Sequence, residues 1–226
     1  RRTGTPIAKV EERPVPQTGG APDDHQAPTQ PYSVGMPALG ADRLTEARMW
    51  GATPLDQLVC RIAFRKARYD GDFTPPGPTT AIQFPGWFGG MNWGSGSVAE
   101  NLGYLVINDT RIPITTQLVP REQFDASSRQ GGQEGAGAPQ YGTPWGLRQS
   151  KLMSPLGIPC LAPPYGAITA IDLATRKIVW SIPLETLQDS GPLGIAMHLR
   201  IPIGLPAIGG PVTTASGIVF MAGTQD

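Results

Sequence analysis

The chain has 226 residues, equal numbers of basic and acidic side chains, 29 glycines and 25 prolines. Zero net charge excludes the basic field that holds nucleic acid, and no polybasic run marks an anionic membrane surface. No signal peptide is present, and no apolar run approaches the ~18 residues a spanning helix needs.

Glycine and proline fall between short apolar runs, the pattern of a turn-rich all-β protein with inserts. The chain opens Arg-Arg-Thr-Gly without a Met and closes on Gly-Thr-Gln-Asp, so it reads as a piece of something longer, with targeting signals lost rather than absent. Residues 1–7 form a Thr-centred turn running into a strand, echoed at 173–179. They are expected to be the tail of a hairpin whose first arm lies outside the chain. Residues 14–40 are rich in Pro, Gly, Thr and Gln and read as a loop or wrapping segment, with His25 solvated beside Asp23 and Asp24.

The helical region falls within 44–67. Thr53 is placed as the N-cap, Pro54 opens the first turn and Asp56 completes the start signal. Leu55, Leu58, Val59 and Ile62 follow helical spacing, with Phe64 flanking. Arg61, Arg65, Lys66 and Arg68 gather at the far end, where cations suit the helix dipole. They make either a docking face or a solvated one.

From residue 81 the pattern returns to β. Ile82 and Phe84 begin a strand, a Gly/aromatic loop spans 86–94, and Tyr-Leu-Val-Ile-Asn at 104–108 is a buried inner strand. Residues 217–222 repeat that glycine-then-apolar pattern. Residues 121–141 form a polar, Gly-rich insert expected to be mobile. At 165–184 a hairpin is expected: Ala167, Thr169, Ile171 and Leu173 on one face of a half-buried strand, Ile168, Ala170 and Asp172 on the other, and Trp180 on the return arm. A hairpin alone is marginal, and repeated hairpins point to propeller blades.

No phosphate loop, dinucleotide fingerprint, nucleophile elbow or metal-spaced Cys/His set is present, and His198 has no ligand partner at a suitable spacing. Cys60 and Cys160 are either a disulfide of an oxidising compartment or two buried thiols. Two Gly-Gly loops remain. Gly89-Gly90-Met91-Asn92-Trp93 offers close backbone approach, a side-chain amide and a flat indole, a set that suits a planar polar ligand or simply a tight turn.

Several long motifs carry a resemblance. Gly89-Gly90-Met91-Asn92-Trp93 with the 104–108 strand, the blade motif at 166–180, and Gly-Gly-Pro-Val-Thr-Thr at 209–214 are similar to the pyrroloquinoline quinone (PQQ) dehydrogenases. The stretches at 50–61, 69–76, 139–146 and 154–160 resemble most closely the membrane-bound glucose and quinate dehydrogenase branch. The resemblance covers nearly the whole chain. It implies an eight-bladed β-propeller, here partial, with a small helical insert. The chain would be one propeller domain, 1–226, with a loop and helical insert at 13–78 and a mobile insert at 120–141. It also implies PQQ held with calcium or magnesium, and oxidation of a sugar or cyclic polyol such as glucose, quinate or shikimate. The family works on the periplasmic side of the inner membrane, is anchored by a segment before this one and passes electrons to ubiquinone.

By the same resemblance, Asn108 matches a cofactor-site Asn. Asn92 and Trp93 match a loop facing the cofactor, and Gly209 and Gly210 match a Trp-Gly-Gly contact in which Ile208 replaces the Trp. Arg176 stands where the blade turn usually has Gly. The catalytic Asp, a cofactor-contacting Lys and the metal ligands are expected before Arg1, so the fragment alone is expected to be inactive. The reading from another class is a non-catalytic propeller scaffold of the cell envelope.

Overall fold

The computed structural model describes residues 3–6, 8–40, 42–86, 89–124, 137–138 and 140–222. Its organising unit is a four-stranded antiparallel sheet in the order β10-β9-β5-β4, built from β4 (Ser97–Ala99), β5 (Tyr104–Thr110), β9 (Gly166–Asp172) and β10 (Lys177–Pro183). This is the unit of a propeller blade. The hairpin expected at 165–184 is β9 and β10. Asp172 Oδ1 accepts hydrogen bonds from the backbone N–H of Ala174 and Thr175, both at 2.8 Å, which closes the turn. Those bonds hold the Asp172 carboxyl below its ordinary pKa, the Thr175 bond most of all. Arg176 takes φ +60° in this turn, the conformation glycine adopts at least cost.

The half-buried expectation for β9 is corrected. Ala167 through Ile171 are buried on both faces, because β9 is a central strand with β5 on one side and β10 on the other. Trp180 packs from β10 against Val106, Ile168 and Ala170.

Between β5 and β9 the chain leaves the blade over residues 111–165 and builds most of a second antiparallel sheet. Its order is β3-β6-β8-β7, from β3 (Ala81–Gln83), β6 (Ile114–Pro120), β7 (Gly137–Ala138) and β8 (Trp145–Lys151). The two four-stranded sheets are therefore interleaved in sequence rather than laid down one after the other. Three two-stranded pairs complete the set: β1 (Lys9–Pro14) with β2 (Thr29–Val34), β11 (Thr186–Leu187) with β12 (Leu199–Pro202), and β13 (Val212–Thr213) with β14 (Val219–Phe220). The segment at 14–40, read as loop, thus contains β2. The arm read as an inner strand at 217–222 is short and its Phe220 is 60 % exposed. The insert expected at 120–141 lies largely outside the described residues, as do Trp87 and Phe88.

The helix α1 (Pro54–Lys66) starts as expected. Thr53 Oγ1 accepts from Asp56 N at 3.1 Å, and Asp56 Oδ2 accepts from Ala52 N at 3.1 Å. Its buried face is not the Leu55, Leu58, Val59 and Ile62 stripe. Asp56 and Cys60 are buried, with Ala63 and Phe64 packed on the core, while Leu58, Val59 and Ile62 are exposed and Leu55 is 77 % exposed. Two anchors on the opposite face fix this rotation: the cap and a disulfide from Cys60 to Cys160, Cα–Cα 5.3 Å. Around it Leu44, Met49, Ile82, Phe84, Leu152 and Leu161 close one core. The basic cluster at the helix end is engaged internally. Arg61 and Arg65 bind Glu46 at 2.7 and 2.8 Å, and Arg68 binds Asp70 at 2.7 Å and the carbonyls of Thr18, Gly19 and Pro75.

The Cys60–Cys160 bond closes a separation of 100 residues. A crosslink of that reach stabilises by roughly 2–4 kcal/mol, mainly by restricting the unfolded chain. Cys60→Ala/Cys160→Ala in the full-length protein is expected to lower the thermal midpoint, as is reductant on the wild type. An unchanged midpoint in both would show that α1 is held by packing alone.

Candidate functional site

Asn108 is 3 % exposed near the end of β5, opposite Ile168 of β9. Its Nδ2 donates to the carbonyl oxygen of Ala207 at 2.7 Å. The Asn108 side chain therefore binds the segment that leads to Gly209 and Gly210.

The loop at 89–94 is fixed from both ends. Gly89 takes φ +72° and its N–H donates to Gly86 O at 2.7 Å. Thr110 N, two residues past Asn108, donates to Gly90 O at 2.8 Å, so the loop is tied to the end of β5. Asn92 Oδ1 accepts from Trp93 N at 2.7 Å, and Trp93 itself is 88 % exposed.

The two Gly-Gly loops meet. A Cβ on Gly210 would lie 1.9 Å from Gly94 O, and one on Gly94 would lie 2.5 Å from Gly210 N. A Cβ on Gly209 would lie 2.7 Å from Ala222 O. Only glycine permits backbones this close. Ser97 Oγ and Thr213 Oγ1, 2.7 Å apart, continue the seam between β4 and β13.

All five residues singled out from the sequence thus come together at one end of the blade sheet, although they belong to three segments. Their orientations differ. The Asn108 amide is already bonded to the backbone, whereas the Trp93 indole projects outward. A cavity of about 460 Å³ adjoins the loop, lined by Asp72, Gln83, Pro85 and Gly86 among others. Gly90 faces Pro85, whose Cγ would be 3.9 Å from a Cβ there. Among the described residues no group of three His, Cys, Asp or Glu is placed to hold a metal ion.

One element escaped the sequence reading. Asp109, 2 % exposed, pairs with Arg111 through Oδ1 and Nη2 at 3.2 Å and through a second, shorter contact from Nε to Oδ2. The pair packs under Gly40, where a Cβ would sit 2.7 Å from Asp109 Oδ2. It stiffens the chain immediately after Asn108. Its signal was an acid and a base at i and i+2, on one face of a strand.

The four-stranded sheet, ending in a buried amide, a glycine seam and a projecting indole, has the form of a propeller blade. The whole chain, residues 1–226, matches the family described as "PQQ: Glucose/ethanol/alcohol dehydrogenase, beta-propeller domain". It belongs to that family of PQQ-dependent dehydrogenase propellers. It is 49 % identical over 230 residues to "Probable quinate dehydrogenase (quinone)" of Xanthomonas campestris pv. juglandis, covering all of this chain and 29 % of that protein. It is 47 % identical over 231 residues to "Quinate/shikimate dehydrogenase (quinone)" of Acinetobacter baylyi, covering all of this chain and 28 % of that protein. To "Quinoprotein glucose dehydrogenase" of Escherichia coli it is 38 % identical over 231 residues, again all of this chain and 29 % of the relative. The chain spans less than a third of the length of these curated relatives.

The seam can be tested apart from any ligand. Gly103 takes positive φ, +67°, which Gly210 does not, and has nothing within 4 Å of a Cβ. Gly103→Ala is expected to cost about 1 kcal/mol, the conformational penalty alone. Gly210→Ala is expected to cost about 1–3 kcal/mol, because backbone has to move. Thermal unfolding of the two variants of the full-length protein reads the order. Equal shifts would mean the seam yields freely.

Proposed function

We propose that this chain is part of a periplasmic quinoprotein dehydrogenase that oxidises a cyclic polyol or sugar with PQQ and passes electrons to ubiquinone. The observation that carries this reading is the convergence of Asn108, the loop of Asn92 and Trp93, and Gly209 and Gly210 at one end of the blade. The residues fit the cofactor's chemistry. A flat polar ring wants an aromatic face to stack on, an amide to bond and backbone without side-chain bulk. Trp93 offers the face, the glycine seam leaves no side chain in the way, and Asn108, its Nδ2 bonded to Ala207 O, holds the segment that carries those glycines.

When bound, PQQ supplies the acceptor for the hydride of the substrate alcohol. In this reading Trp93 and the glycines position the ring, and Asn108 fixes its orientation through the rigid end of β5. The carboxylate that takes the hydroxyl proton, and the ligands of a calcium or magnesium ion, belong to other parts of the parent protein. Relatives named for quinate match at 49 % and 47 %, against 38 % for one named for glucose, which favours a cyclic polyol. The Cys60–Cys160 bond supports an oxidising compartment, consistent with the periplasm, with a membrane anchor in the part of the parent preceding this chain.

The full-length protein, loaded with PQQ and calcium or magnesium, is expected to reduce a soluble dye when given quinate, shikimate or glucose. Asn108→Ala is expected to lower kcat/KM at least ~10-fold, on the scale of about 1.4 kcal/mol per decade, with circular dichroism unchanged. No dye reduction with any sugar or cyclic polyol would favour the scaffold reading. The isolated 226 residues lack the rest of the ring and leave strand edges open. They are expected to bind PQQ weakly, and tight stoichiometric quenching of Trp fluorescence would contradict this.

A further inference from the structure

A second cavity, of about 340 Å³, opens between the 111–165 excursion, the approach to α1 and the segment after β10. Trp50, Met153, Met197 and Leu205 give it an apolar lining. Lys151 and two hydroxyls interrupt that lining. Tyr165 is 4 % exposed and held by its backbone: its N–H donates to Ile203 O at 3.1 Å and its carbonyl accepts from Arg111 N at 2.8 Å. The Tyr165 phenol makes no hydrogen bond to any described residue. Burial raises its pKa above the ordinary phenol value, so it stays protonated and its O–H is available to donate. Ser190 lines the cavity, and its Oγ is buried without a partner.

A buried hydroxyl left unbonded is unfavourable, so this cavity is incomplete without an acceptor. Water-sized polar ligands would waste the apolar walls, and a polyol would bury more hydroxyls than Tyr165, Ser190 and Lys151 can serve. The complementary ligand is a flat apolar ring with two carbonyl oxygens. The volume lies at the low end of small-molecule pockets, about 300–1,000 Å³, which suits one substituted ring. Two relatives carry "quinone" in their names as the second reactant.

We propose that this cavity binds the ring of the electron-accepting quinone, with Tyr165 donating to one carbonyl and Ser190 serving the other. The proposal rests on the dehydrogenase reading above and assigns its acceptor site. Its place in the fold suits transfer. Leu205 and Pro206 line the cavity, and the next residue, Ala207, holds Asn108. Tyr165 adjoins Gly166, which pairs with Thr110. The two sites share one wall. The balance is closed: the secondary alcohol loses two electrons and two protons as its C–H and O–H bonds give a ketone, and the quinone takes up two electrons and two protons to become the hydroquinone.

The test uses the full-length protein and a short-chain ubiquinone. Tyr165→Phe, which keeps the ring and removes the hydroxyl, is expected to raise the quinone KM at least ~10-fold, about 1.4 kcal/mol per decade. Leu205→Phe, which fills the cavity, is expected to do the same. Polyol oxidation with a soluble dye should be unchanged in both. Equal loss in both assays would reduce Tyr165 to a structural role, and no loss in either would place the acceptor elsewhere; each overturns the proposal. A cofactor-free titration reads the cavity by itself. The quinone should quench Trp fluorescence saturably, Trp50→Phe should remove most of that signal, and Leu205→Phe should weaken it. Absence of saturable quenching overturns the acceptor site even if dye reduction succeeds. Failure of dye reduction alongside normal quenching overturns the dehydrogenase reading and leaves a bona fide quinone cavity.

Discussion

The antiparallel pairing of β5 with β9 decides where the functional groups go. It runs in register from Tyr104 opposite Asp172 to Thr110 opposite Gly166. Side chains alternate across a strand, so a slip of one residue would send Asn108 to the opposite face. Burial prevents the slip. Val106, Ile107, Ile168, Ala170 and Ile171 are all buried, and a shift would trade them for neighbours of the wrong size and polarity. The pairing is also non-local. Residues 111–165 intervene, and closing so long a loop costs entropy that the two-sided burial of the central strands has to offset.

That long excursion explains the second organising contact. A segment that leaves a blade and returns has its own core to close, and it does so by recruiting β3 and α1 from upstream. The Cys60–Cys160 bond joins the recruited helix to the returning chain. Met49, Ile82, Phe84, Leu152 and Leu161 surround it. The excursion is therefore anchored to α1 at one end and to the blade at the other. The cavity lined by Trp50, Met153 and Tyr165 lies between these anchors. The glycine seam works by a different rule. It needs no side chains at all, only the absence of them, and Gly94 against Gly210 closes the gap between consecutive hairpins.

Much of this was legible in the sequence because it is local. The Thr53-Pro54 start of α1, the 165–184 hairpin, the 104–108 strand and the importance of both Gly-Gly loops follow from short-range chemistry: caps, turns, alternation and missing Cβ atoms. What escaped was long-range. The helix stripe at Leu55, Leu58, Val59 and Ile62 has good spacing, yet a disulfide 100 residues away turns it outward. Periodicity reports which face is apolar, not which face has a partner. The same limit hid the burial of β9 on both sides. Alternation predicts a half-buried strand, and only the identity of its neighbours shows that it is central. The Tyr165 cavity needed partners from residues 187–206, which no window around Tyr165 contains.

The segment from Leu205 to Gly210 draws these strands of reasoning together. Within six positions it lines an apolar cavity, accepts the Asn108 amide at Ala207 and supplies the glycines that meet Gly94. Gly166 packs directly against it, with a Cβ there falling 2.1 Å from Leu205 O, and Leu205 N donates to Leu184 O at 2.6 Å. It is held by β5, β9 and the end of β10 at once, so it has little freedom to shift. Rigidity of this kind is what two-site redox chemistry requires. A donor and an acceptor that share one stiff wall keep a fixed separation. In the proposed scheme a polyol at the Asn108 end and a quinone in the cavity would meet different surroundings and would not compete for the same contacts. Specificity for the two proposed reactants would then follow from solvation: hydroxyl groups are stable where water and amides remain, and an apolar ring is stable where Trp50, Met153 and Met197 exclude them.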